Sequence, residues 1–199
     1  MNLSYRFFAA ASLATIIATS AFAQSSPMRV RGPVTAMQGS SLTVKGRDGD
    51  VAVKLADNWS VGGRVPAKLA DIKAGDFLGV AAVPQTGGVL RAVEVFIFPA
   101  GVKSGEGHRP WDLLPEGTMT NATVAETVKA VSGQTIKMTY PGGDKTIFVP
   151  EDAAITISAP AEKSDVKIGS VVFLSAEKQG DGSLVANRVT VNLGASAQP

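Results

Sequence analysis

From Val34 onward, apolar and polar positions alternate along the chain. Val34, Ala36, Leu42, Val44, Val51, Val53 and Leu55 carry the apolar side of three short runs. A period of two marks half-buried strands, because successive strand side chains point to opposite faces. Gln38-Gly39-Ser40 and Arg47-Asp48-Gly49-Asp50 break the alternation with turn residues. Gly75-Asp76 opens a fourth run, FLGVAAV; Gln85-Thr86-Gly87-Gly88 closes it, and VLRAVEVFIF returns. Between the third and fourth runs there is room for one helical turn, at Ala67 to Ile72.

The plan recurs further on. Laying Val34 on Val128, a shift of 94 without gaps, places VTAMQGSSLTV (34–44) on VKAVSGQTIKM (128–138). It also sets Gly49-Asp50 on Gly143-Asp144 and DIKAGD (71–76) on DVKIGS (165–170). Gly88, Leu90, Ala92 and Val95 fall on Gly182, Leu184, Ala186 and Val189. Matches at turn glycines and apolar strand positions predict two copies of one module of about 70 residues. Five strands with a short piece between third and fourth outline a small OB-like barrel. One such barrel without disulfides is marginal alone, and packing two together shares buried surface. The expected fold is therefore all-β: two tandem five-stranded OB-like barrels at 28–99 and 122–193. A Trp/Pro-containing linker at 100–121 joins them, and a loose tail follows at 194–199.

The N-terminal residues 1–23 read as a signal peptide. Arg6 supplies positive charge, an apolar run follows, and Ala21-Phe22-Ala23 is the small-x-small pattern cut after Ala23. That run is too short for the roughly 20 residues of a membrane span. The expectation is a periplasmic protein with no transmembrane segment in the mature chain. There is no cysteine, so neither disulfides nor cysteine-linked lipid are available. The formal charge is +2, and without Arg6 it drops by one, which is no footprint for nucleic acid.

The pattern V.A..G..LTV...DGD..V, then L.DIK.GD.L.V and GG.L.A..V, resembles a family of small bacterial exported OB-like domains. Those domains often occur in tandem, and their function is uncharacterised. The stretch GHRPWDLLPEGTMTNATV (107–124) also looks like a segment of some exported proteobacterial proteins. The resemblance implies a fold. It brings no reaction, cofactor or catalytic residue.

Candidate chemistry concentrates where the repeat is absent. Glu106 to Asn121 holds the single histidine and one of the two tryptophans. A flexible linker is small and polar throughout, whereas Trp111, Leu113 and Leu114 are not. They are expected to plug the groove between barrels, or to form a recognition loop, since tryptophan and arginine dominate binding hot spots. The candidate ligand- or partner-binding residues are His108, Arg109, Trp111, Asp112 and, in the loop after the third strand, Trp59. Arg109 offers a forked donor, Trp111 apolar area, and Asp112 an acceptor or turn cap. His108 with Met119 would suit a soft ion, but one imidazole is a poor site alone. No serine has the context of a nucleophile, and His108 is the sole imidazole base, so no catalytic residue is assigned. The expected function is a non-enzymatic periplasmic binding or accessory module acting through the inter-barrel groove and linker. It needs no cofactor, and its partner is an unidentified periplasmic protein or small ligand. The alternatives are a metal-handling or redox-accessory protein using His108 and Met119, and a structural envelope protein.

Overall fold

The alternating runs become strands throughout. The computed structural model describes residues 27–194; the expected leader and the residues past 194 lie outside the described residues. Twelve strands form among the described residues. The first five are β1 (Met28–Gln38), β2 (Ser41–Gly46), β3 (Gly49–Pro66), β4 (Phe77–Pro84) and β5 (Leu90–Ile97). β6 (Gly107–Pro110), β7 (Thr118–Ala130), β8 (Gly133–Tyr140) and β9 (Gly143–Pro150) follow. β10 (Ala154–Ala159), β11 (Val171–Lys178) and β12 (Leu184–Asn192) complete the set. Single 3-10 turns at Leu69–Asp71 and Lys163–Asp165 stand where one helical turn was expected. In each, an aspartate three residues on accepts from the backbone N–H that precedes the turn, at 2.7 Å.

Strand pairing runs across the expected halves. β1 pairs with β2 and with β11; β3 pairs with β2 and, in parallel, with β12; β11 pairs with β12. These five strands close a barrel. The remaining strands likewise return on themselves: β4 pairs with β5 and β7, β8 with β7 and β9, and β9 meets β5 at Leu90↔Ile147 and Arg91↔Phe148. The expected units 28–99 and 122–193 therefore do not follow the pairing. Each ring takes its first three strands from one half and its last two from the other. Each also has its own core, Leu42, Val44, Val53, Leu174 and Val189 in the first, Leu78, Val80, Ile136, Met138 and Ile147 in the second.

The spacing of 94 reappears in the strand bounds: β4 and β11 start at Phe77 and Val171, β5 and β12 at Leu90 and Leu184. The first strand departs from it. Val34 donates its N–H to the Ser170 carbonyl and accepts from Gly169; Val124 does the same with Asp76 and Gly75. Val34 faces Val44 just before a bulge, and Val124 faces Met138 just before another. The counterpart of Val34 is thus Val124, not Val128. The hairpin β1–β2 closes at Gln38↔Ser41, whereas β7–β8 runs on to Ala130↔Gly133. Its arms are two residues longer on each side. A shift of four keeps the period-two alternation in phase, so the hydrophobic pattern cannot reveal it.

β3 is one strand of 18 residues, while its counterpart is broken into β9 and β10. β10 then lies between the rings, antiparallel to β3 and parallel to β5. In that antiparallel ladder Arg64 sits directly opposite Ser158. These two positions are 94 apart, so the pairing pattern maps onto itself about this point.

Candidate functional site

The self-matching ladder borders a cavity of about 450 Å³. Face alternation explains which residues reach it. In β4 and β5 the side chains of Val80 and Val95 are fully buried in the second ring. On β4, Gly79 and Ala81 alternate with that core and border the cavity from outside the ring, as do Phe96 and Phe98 after Val95. Arg31 and Phe173, paired across β1 and β11, do the same for the first ring. Arg64 enters from β3 at the junction.

The walls are aromatic and the polar groups are mostly donors. Phe98 packs edge-on against Phe96 at 4.7 Å and Phe77 at 5.2 Å between ring centroids. The Arg64 guanidinium lies 4.1 Å from the Phe96 ring centroid and 5.8 Å from that of Phe173. Arg31 stands 5.4 Å from Phe173. Among the described residues Arg64 forms no ion pair, and its Nε is buried without a partner. Burial holds its guanidinium below the usual value; Glu94 opposes this, and the charges of Arg31 and Arg188 add to it. Arg109 is lowered as well, by burial first and then by Arg29. Trp111, which borders both this cavity and a separate crevice, has its Nε1 buried without a partner. Three arginines and one glutamate line the space, a net of two positive charges.

Gly79 keeps the cavity open. A Cβ there would meet Asn121 Oδ1 at 3.0 Å and Phe98 Cε2 at 3.3 Å. Gly32, at φ +146°, brings its backbone against the Lys45 carbonyl, where only a residue lacking Cβ fits.

The expected linker is not a connector. Its residues Gly107–Pro110 form β6, which pairs with β7 from Gly107↔Asn121 to Pro110↔Thr118. The turn after β6 is closed by the Trp111 N–H donating to the Gly117 carbonyl at 2.8 Å. From there the chain reaches the first ring. The Arg29 guanidinium stacks 4.0 Å from the Trp111 ring, a cation–π contact. Asp112 pairs with Arg31 at 3.3 Å and Arg29 at 3.6 Å. This strap is anchored on one ring by strand pairing and on the other by arginine contacts. Leu113 and Leu114 border a separate crevice with Ala82, Val83 and Val93.

The residues expected to act together divide accordingly. Arg109 and Trp111 line the cavity, and Asp112 holds Arg31 at its edge. His108 does not line it. Arg109 pairs with Met119 and His108 with Thr120, so His108 and Met119 lie on opposite faces of the β6–β7 ribbon. His108 Nδ1 bonds Thr120 Oγ1 at 2.8 Å instead. Burial, Lys145 and Arg109 lower its pKa. A joint His108–Met119 ligand set is therefore not assembled, and no cluster of three His, Asp or Glu forms among the described residues. Trp59 is not in a loop after the third strand but inside β3, packed against the first core, with Lys163 Nζ 4.8 Å over its ring. It does not line the cavity.

Arg64, Phe96, Phe98 and Phe173 escaped the sequence reading. One signal was present for two of them. VFIF (95–98) is apolar at every position, and a strand apolar on both faces is covered on both. Arg64 had none, since its place at the ladder depends on the pairing between halves.

Residues 31–95 match the model of a domain of unknown function (DUF5666). That span runs from β1 into β5, so in this structure it contributes strands to both rings. No curated protein and no solved structure matches the chain.

Proposed function

We propose that the chain is a non-enzymatic binding module, exported to the periplasm, whose ligand occupies the cavity between the rings. We read it as two copies of one OB-like unit that have exchanged their last two strands. The observation that carries the binding reading is Arg64. A largely buried guanidinium that lines a cavity without an ion-pair partner among the described residues is costly unless something completes it. Folding alone would favour a smaller apolar residue there. The cavity also has the size and character of small-molecule sites, mostly apolar with a few convergent polar groups. The strap would fix the ring spacing and close one wall with Trp111. A metal-handling role for His108 and Met119 has no comparable support, given their opposite faces.

A thermal-shift screen of small charged, neutral and aromatic compounds tests the binding reading, with Gly79→Leu as the cavity-filled control. At least one compound is expected to raise the Tm of the wild type and not of the control. If no compound separates the two proteins, the cavity is not a binding site. Export is checked separately, by N-terminal sequencing of the mature chain from the periplasm, where Gln24 is the expected first residue.

A further inference from the structure

Resting on that reading of the cavity, we infer that the ligand is a small amphipathic oxyanion: a carboxylate or phosphate head on a flat apolar body. The polar inventory of the walls points this way. Arg64 lines the cavity with no ion pair among the described residues, and the polar groups its guanidinium offers are all donors. A ligand that satisfies them must present acceptors. The three lining arginines outnumber the one acid, Glu94, so those acceptors should carry charge. Arg31 already has Asp112 at 3.3 Å, and Arg109 already donates to the Gly105 carbonyl at 2.7 Å. Arg64 alone of the three has its guanidinium uncommitted among the described residues, and it lies 4.1 Å from the Phe96 ring centroid and 5.8 Å from that of Phe173. A guanidinium presents its N–H groups in one plane, the geometry that matches the two oxygens of a carboxylate or phosphate. The body follows from the rest of the wall: Phe96, Phe98, Phe173 and Trp111 offer ring faces and edges that favour a flat apolar group. A volume of about 450 Å³ holds a small molecule and not a folded partner.

The β3–β10 ladder is asymmetric in charge at the junction. Arg64 faces Ser158 at the point where the pairing maps onto itself.

The test is calorimetric titration of the mature protein with four probes of one shape: 2-naphthoate, 2-naphthyl phosphate, 2-naphthamide and 2-naphthylmethylammonium. At least one anion is expected to bind ten-fold or more tighter than the amide, and the ammonium least. Which anion is tighter distinguishes a carboxylate from a phosphate ligand. Arg64→Gln should erase the anion's advantage over the amide. Arg64→Lys, which keeps the charge and loses the fork, should recover part of it; circular dichroism confirms that each variant is folded. If the amide matches the anions, or the advantage survives in Arg64→Gln, the oxyanion inference is wrong while the cavity remains a binding site. If no probe binds and the screen above also finds nothing, both readings fall together.

Discussion

The two rings agree inside and differ outside. Leu42 and Ile136, Val44 and Met138, Val53 and Ile147, Leu78 and Val172, Val80 and Leu174, and Val95 and Val189 are equivalent by position, and every one is buried. Around the cavity the equivalents diverge: Arg31 against Asn121, Phe173 against Gly79, Phe98 against Asn192, Arg64 against Ser158. Interior positions are constrained by close packing, which tolerates only apolar groups of similar volume. The cavity positions face outward from both rings and carry no such constraint. They have settled into an uneven set, with large aromatics opposite small residues and a cation opposite a hydroxyl. The matched interior is what close packing imposes; the unmatched exterior is where the cavity lies.

Several changes would break or sharpen this contrast. The largest effect should come from the matched interior. Leu42→Ala and Ile136→Ala, one in each ring, should each cost about 2–5 kcal/mol. Because each ring borrows strands from both halves, denaturant unfolding followed by fluorescence and circular dichroism should stay one coincident transition in both variants. Separate melting of the two rings would show that they are independent units.

Gly79→Leu comes next. It is expected to cost about 1–3 kcal/mol through crowding of Phe98 and Asn121. Its larger consequence is loss of probe binding by filling the cavity. The mirror change at the equivalent site, Phe173→Leu, should keep the fold and weaken binding without abolishing it.

The strap should matter less. Asp112→Asn removes a carboxylate that is half exposed, with partners at 3.3 and 3.6 Å, so screened pairing limits the loss to a few tenths of a kcal/mol. Binding of an anion should tighten slightly, since Arg31 is released.

The smallest effect belongs to His108. Its pKa lies below the ordinary 6.5 in the folded chain. The unfolded state therefore takes up the proton first, and folded stability is present above pH 6.5 and declines as pH falls through the lower folded value. His108→Asn should flatten that part of the stability–pH curve measured by thermal unfolding, with no change in probe affinity.

Ten of the twelve strands, all but β6 and β10, and the 3-10 turns at Leu69–Asp71 and Lys163–Asp165 were legible in the sequence, because alternation and turn glycines are local signals. It also pointed to the segment holding Arg109, Trp111 and Asp112, since rare side chains stood where the repeat was missing. Three things were hidden. The partner of each strand is not written in its own alternation, so the pairing of β4–β5 with β7 and β9 and of β11–β12 with β1 and β3 could not be read from period two. The four-residue extension of the β7–β8 hairpin kept the pattern in phase and passed unseen. Arg64 looked like an ordinary strand cation because the ladder that seats it opposite Ser158 joins distant parts of the chain. Trp59 misled for the opposite reason: the residue 94 positions on is Ala153, which suggested a free aromatic, but β3 continues unbroken where β9 stops, and the ring packs on the first core.

The account turns on one site built jointly by both rings. Backbone amide shifts of the isotope-labelled protein, followed during titration with 2-naphthoate, test this most directly. Gly32 and Phe173 from one ring, Gly79 from the other and Thr156 from the bridging strand should move together and fit one Kd. Shifts confined to a single ring, or perturbations that fit different Kd values on the two sides, would contradict it.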